Sequence, residues 1–131
     1  MVIEFFVPMN PPTVTHQEKQ VRVKIGKPIF YEPAELKTAR AKLRDHLAKR
    51  RPEQPLTGAV RLAAKWCFPR GRHRDGEYRI TKPDTDNLQK LLKDVMTAVG
   101  FWQDDAQVAS EIAEKFWAEI PGIYIRAEEM A

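Results

Sequence analysis

Leu88, Leu91, Leu92, Val95, Met96 and Val99 fall at i, i+3, i+4, i+7, i+8 and i+11, and no other feature of this 131-residue chain limits its fold so strongly. That spacing draws one apolar stripe down a helix, and Gly100 supplies the residue type that ends helices in a left-handed cap. A helix with one apolar face has to be covered, so the chain must supply a sheet or a second helix. Val60, Leu62, Ala64, Trp66 and Phe68 share one parity, which predicts a strand ended by Pro69 with Cys67 on its other face.

The remaining segments are read the same way. Val2 to Val7 predicts a strand stopped by Pro8, with Pro11-Pro12 barring a regular continuation. Val21 to Ile25 and Pro28 to Tyr31, joined at Gly26-Lys27, predict a hairpin with Arg22 and Lys24 on one face. From Pro33, Leu36, Ala39, Leu43 and Leu47 recur at helical spacing in a basic helix that ends before Pro52. Arg70 to Pro83 carries glycine and charge without periodicity and reads as a long mobile loop over the candidate site. Val108 to Ile120 and Ile123 to Ala127, around Pro121-Gly122, predict a hairpin that closes the sheet.

Length and composition narrow the class. The chain suits one compact domain, residues 1–131, without an internal boundary. No apolar run approaches the roughly 18 residues of a membrane span, so no membrane association is expected. Met1 to Pro8 lacks a signal-peptide pattern and Cys67 is the single cysteine, which fits a reducing cytoplasm. The net charge of +4 permits a polyanionic partner. Its distribution is more telling, because Arg70, Arg72, His73, Arg74, Arg79 and Lys82 crowd one stretch. From Asp104 onward the chain is mostly acidic, with only Lys115 and Arg126 opposing.

That basic stretch runs into Lys82-Pro83-Asp84-Thr85-Asp86-Asn87-Leu88-Gln89-Lys90. Oxygen-rich turns of this kind suit a hard divalent cation such as Mg²⁺, which nucleases use to activate water and steady a leaving oxygen. Asp86 also fits a structural role, as an N-cap paired with Gln89 in a capping box. Asp84 precedes the helix and has no such excuse. An EF-hand is excluded, since Leu88, Gln89 and Val95 stand where it needs a ligand, a glycine and a glutamate. Lys90 either pairs with Asp86 across one helical turn or offers its charge to a phosphate. Asn87 either ligates metal or starts the helix.

Asp104 and Asp105 follow Gly100-Phe101-Trp102-Gln103, as metal ligands or as an ordinary polar turn. A helix from Asn87 to Val99 is about 20 Å long, so within one chain Asp105 emerges far from Asp84 and Asp86. Antiparallel packing of two subunits would instead join the two turns into composite sites, with an exposed Phe101-Trp102 pair at the interface. Alternatively the last strands fold back along the helix and close the site within one chain. His16, His46 and His73 lack zinc spacing, Cys67 reads as a small core residue, and no phosphate loop or catalytic serine pattern is present. Trp66, Phe68, Phe116 and Trp117 read as core rather than as base-stacking platforms. No organic cofactor is expected.

The run from Lys82 to Val108, with its Asp-x-Asp-Asn helix start, its lysine one turn on and its Gly-Phe-Trp-x-Asp-Asp-Ala-Gln-Val exit, closely resembles the signature of RusA-type Holliday junction resolvases. The opening strand into Asn10-Pro11-Pro12 is similar as well. The resemblance implies an α+β fold, a small mixed sheet with two main helices, in a homodimer. It implies an endonuclease that makes paired nicks across a four-way DNA junction with Mg²⁺, Mn²⁺ substituting, as in bacteria and their phages. Asp84, Asp86 and Asp105 match the essential carboxylates and Lys90 the essential lysine, with Asp104 beside them as a further metal ligand. Arg70, Arg72, Arg74, Arg79 and Lys82, on a loop longer than in the shortest family members, and Lys24 of the hairpin are the expected DNA contacts. Two rival readings remain at this level, a catalytically inactive junction-binding protein and a metal-dependent nucleotide hydrolase.

Overall fold

The computed structural model describes residues 1–15, 20–24, 27–31 and 33–130, with residues 20–31 described by their backbone alone. Its centre is a four-stranded mixed sheet, with strands β1 (Val2–Val7), β4 (Val60–Pro69), β5 (Val108–Ala118) and β6 (Gly122–Glu129) in the order β1-β6-β4-β5. Two helices, α1 (Ala34–Ala48) and α2 (Thr85–Val99), pack together. No helix of the described residues is long and apolar enough to cross a membrane. A separate two-stranded ribbon, β2 (Gln20–Lys24) with β3 (Lys27–Tyr31), pairs antiparallel as the alternation predicts.

Parity decides the core face of the sheet. Val60, Leu62, Ala64, Trp66 and Phe68 of β4 are all buried, joined by Ile123, Ile125 and Ala127 of β6 and by Phe5 and Val7 of β1. The leucine stripe of α2 and Leu36, Leu43 and Leu47 of α1 complete the cluster. Each valine, leucine, isoleucine, phenylalanine or methionine among them contributes about 2 kcal/mol relative to full exposure. Cys67, on the other parity of β4, is half-buried on the open face rather than in the core. Burial pushes its thiol pKa up, while Lys65 opposes that shift.

Two sequence expectations fail here. β5 and β6 do not form a hairpin, because β4 lies between them, parallel to β5 and antiparallel to β6. The stretch from β4 through α2 is the crossover that a parallel pair needs, and it returns β5 parallel to β4, leaving the other edge of β4 for β6. Residues 119–121 then span two strand spacings, about 10 Å, which three extended residues can reach. Gly122 makes the arrival possible: a Cβ there would stand 2.1 Å from Phe6 Cζ and 2.6 Å from the Val7 carbonyl oxygen.

The second failure concerns Phe101 and Trp102, expected as an exposed pair. Both are buried, at 0% and 1% exposure. Gly100 adopts φ 97°, and that left-handed turn swings the following residues back under the helix end. The Phe101 amide then donates to the Met96 carbonyl at 3.0 Å and the Trp102 indole to Thr97 Oγ1 at 2.7 Å. The pair belongs to the monomer's core and offers nothing to a second subunit.

Candidate metal and nucleic-acid site

The segment between β4 and α2 is not a free loop. Gly76 donates to the Trp117 carbonyl at 2.8 Å, Trp117 to the Glu77 carbonyl at 2.8 Å and Arg79 to the Lys115 carbonyl at 3.0 Å. These bonds lay the segment antiparallel along β5, with a bridge between Tyr78 and Phe116, and so cover the outer edge of the sheet. His73 stacks on Trp117 with ring centroids 4.1 Å apart and meets Glu77 through Nδ1 at 2.6 Å. Phe116, expected in the core, is half-buried on the open face and stacks against Tyr78 at 4.9 Å.

The expected DNA-contacting cations therefore divide. Arg70 is bound to Glu119 and to the His73 carbonyl. Arg79 lies over Phe68 and Trp117, 4.2 and 4.5 Å from the ring centroids, and donates to the Lys82 carbonyl at 2.6 Å. Burial lowers the Arg79 pKa. Arg72, Arg74 and Lys82 are exposed. Lys24 sits on β2, where only the backbone is described.

At the mouth of α2 the structure moves the cap. Thr85 opens the helix, so Asp84 is the N-cap and Asp86 lies in the first turn, against the expected cap at Asp86. Gln89 does not close a capping box either. Its Oε1 accepts from Trp66 Nε1 at 2.7 Å and its Nε2 donates to Glu111 at 2.9 Å, in a buried position. Asp84 stands where aspartate usually accepts a bond from the second or third helical amide, yet its side chain makes no cap bond. Both carboxylates are exposed, and no described residue donates a hydrogen bond to either. Asn87 is buried in the first turn. Lys90 is exposed and forms no ion pair with Asp86 among the described residues.

The second acidic turn lies at the far end of α2. Asp104 is spent locally: its Oδ1 accepts from the Ala106 amide at 2.9 Å, while Gln107 Oε1 accepts from the Gln103 and Asp104 amides, closing a capping box around a short 3₁₀ turn (Asp105–Gln107). Asp105 is exposed, and no described residue bonds its carboxylate. Among the described residues no three His, Cys, Asp or Glu side chains lie close enough to share a metal ion. One chain therefore does not bring Asp105 to Asp84 and Asp86.

β5 does fold back along α2, but it delivers other residues. Glu111 meets Gln89 and, at 3.2 Å, Lys93. An open cavity of about 430 Å³ is lined there by Thr85, Asp86, Gln89, Lys93, Glu111 and Ala113. Lys115 reaches the turn itself and donates to the Thr81 and Pro83 carbonyls, each at 2.7 Å. Burial lowers its pKa first and Arg79 second, while Asp84 pulls the other way. Sequence reading passed over Glu111, Ala113 and Lys115. Their shared parity was visible, but only the parallel pairing with β4 shows that this parity faces α2.

Two free carboxylates fit Mg²⁺, which is commonly held by one or two protein carboxylates together with water and substrate phosphates. Comparison with known proteins gives the family. The sequence pattern of the family described as Endodeoxyribonuclease RusA matches residues 8–128. A protein of Lactococcus phage r1t named Crossover junction endodeoxyribonuclease rusA is 29% identical over 133 residues, covering 99% of this chain and all of that protein. An uncharacterized Bacillus subtilis protein, YqaN, is 27% identical over 121 residues, 83% of this chain and 84% of its own. A family match that takes in the turn bearing Asp84 and Asp86, the turn bearing Asp105 and nearly everything between and around them places this chain in the endodeoxyribonuclease RusA family.

Proposed function

We propose that this RusA-family endodeoxyribonuclease is a Mg²⁺-dependent, structure-specific nuclease that resolves four-way DNA junctions by paired symmetric nicks and acts as a homodimer in the cytoplasm. The observation that carries the reading is Asp84: an N-cap aspartate whose carboxylate caps nothing, two residues from Asp86, which is equally unbonded among the described residues. Leaving an N-cap amide uncapped forgoes about 1 kcal/mol of helix stability, a loss that makes sense where the carboxylate has another ligand. The named phage relative supplies the junction as substrate class.

In this reading Asp84 and Asp86 hold the cation, which would supply Lewis acidity toward the phosphodiester and favour ionisation of water. Lys90, exposed on the next turn, meets the phosphate and steadies negative charge as the bond breaks. Arg72, Arg74 and Lys82 neutralise phosphates of the junction arms, which makes affinity fall steeply with salt. Asp105 completes the carboxylate set from a second subunit. What supports that step is its free carboxylate at the far end of a 15-residue helix, about 22 Å away along the axis. Two-fold symmetry would then provide two composite sites and two symmetric cuts. Asp104, engaged in its own capping box, stays outside the ligand set.

The test is nicking of a synthetic four-way junction beside a linear duplex of the same sequence, with Mg²⁺ or Mn²⁺, by wild type, Asp84→Asn and Asp86→Asn. Paired nicks confined to the junction and lost in both variants are expected. Junction binding without cleavage under either metal would overturn the nuclease reading. Mixed Asp86→Asn and Asp105→Asn subunits are expected to recover partial activity, and absence of rescue despite demonstrated subunit exchange would sink the composite site.

A further inference from the structure

The backbone directly ahead of Asp84 is held in an unusual way. Three consecutive carbonyls, those of Thr81, Lys82 and Pro83, each accept a hydrogen bond from a cationic side chain anchored on or beside β5. Lys115 Nζ takes the first and third at 2.7 Å each, and Arg79 Nη2 takes the second at 2.6 Å. The two cations are fixed to one another, since the Arg79 amide donates to the Lys115 carbonyl at 3.0 Å and the Arg79 guanidinium lies over Phe68 and Trp117. Asp84 follows at once, and its own carbonyl already accepts from the Leu88 amide at 3.1 Å, so it is gripped from the helix side too.

We propose that Lys115 is a positioning residue of the candidate site: by fastening the Thr81 and Pro83 carbonyls to β5, it fixes where the Asp84 carboxylate stands at the mouth of α2. The inference rests on Asp84 being a cation-binding carboxylate. A lysine suits the task, because one ammonium offers three donors that two converging carbonyls can share. Without it the turn would lose two of its three anchors, whereas α2 would stay in place through its buried stripe. Site carboxylates need placement to about half an ångström, so a loosened turn degrades the site before it degrades the fold.

Electrostatics and positioning predict opposite signs. Lys115 is a positive charge beside Asp84, so charge alone says that removing it should tighten cation binding. Positioning says that removal should weaken it. The experiment uses the full chain as wild type, Lys115→Met, Lys115→Arg and Asp84→Asn, with Mn²⁺ binding followed by electron paramagnetic resonance. It also reads the Mg²⁺ concentration for half-maximal nicking, metal-free junction affinity and the thermal melt. Lys115→Met is expected to weaken Mn²⁺ binding about tenfold, as loss of an outer-sphere support does, and to raise the Mg²⁺ requirement in step. Its junction affinity should stay within about twofold, because the ammonium is engaged with two carbonyls rather than with phosphate, and Lys115→Arg should recover most of the loss, because it keeps donors for both carbonyls.

Equal or tighter Mn²⁺ binding by folded Lys115→Met would overturn the proposal, as would a loss of junction affinity with metal binding intact. If Lys115→Met does not fold, Lys115→Gln, which retains a donor for one carbonyl, is read against the same criteria. Wild-type Mn²⁺ affinity in Asp84→Asn would instead remove the cation-site reading itself.

Discussion

The indole nitrogen of Trp66 on β4 donates to Oε1 of Gln89 on α2 at 2.7 Å, and the other end of the same amide donates to Glu111 on β5 at 2.9 Å. One glutamine thus ties the middle of the sheet, the first turns of the helix and the wall of the Asp86 cavity together. Gln89→Leu would strand a buried indole N–H, a loss of about 1–3 kcal/mol in urea denaturation. It would also leave Glu111 to its contact with Lys93. A change below about 0.5 kcal/mol, the range of ordinary surface substitutions, would mean that this bond has no structural weight.

Gly122→Ala should be costly although alanine is small. The added carbon meets Phe6 and the Val7 carbonyl far inside contact distance, and a backbone oxygen in a paired strand has nowhere to move. About 1–3 kcal/mol of destabilisation is expected from overpacking alone, read by chemical denaturation. An unchanged midpoint would mean that β1 and β6 are not in this register.

Trp102→Ala tests where that side chain lives. Buried at 1% exposure, its truncation should lower stability by about 3–5 kcal/mol and leave the oligomeric state of the residual folded protein as it is in wild type. Analytical ultracentrifugation beside thermal melting separates the outcomes. A stable variant that has lost self-association would restore the surface reading that the sequence suggested.

The cations of the β4–α2 segment should separate into two groups. Arg72→Ala, Arg74→Ala and Lys82→Ala each remove an exposed charge, so each is expected to weaken junction binding and reduce its salt slope by about one. Arg79→Ala should instead lower the melting temperature, because it uncovers the Phe68 and Trp117 rings and releases the Lys82 carbonyl. Equal salt slopes for Arg72→Ala and wild type would exclude that arginine from the contact surface.

Acid should loosen both ends of the sheet. The Glu129 carboxylate accepts from the Gly58 and Thr57 amides, and these bonds lower its pKa from the ordinary 4.5. The bond from His73 does the same for Glu77. A depressed folded-state pKa means that the unfolded chain binds protons first as pH falls. The stabilisation is thus complete above about pH 4.5 and disappears as pH drops through the folded values. Melting temperature should fall over that window, and less so in Glu129→Gln. An acid limb unchanged by that substitution would show that other carboxylates control it.

Periodicity alone determined α2, α1 and the core face of β4, because a stripe at helical or alternating spacing has few ways to leave water. Residue chemistry singled out Asp84 and Asp86 as candidates, and the family resemblance added Lys90 and Asp105. What sequence could not settle was partner choice. The hairpin expected of β5 and β6 gave way because the α2 crossover returns β5 parallel to β4, a long-range pairing with no local trace. Phe101 and Trp102 read as surface until the positive φ of Gly100 turned them inward. Five cations in one stretch looked alike, and only the packing of Trp117 and the edge of β5 separated Arg70 and Arg79 from Arg72 and Arg74. Glu111 and Lys115 stayed invisible for the same reason. A side chain's type is written locally, whereas its neighbours are set by which strand lies beside which.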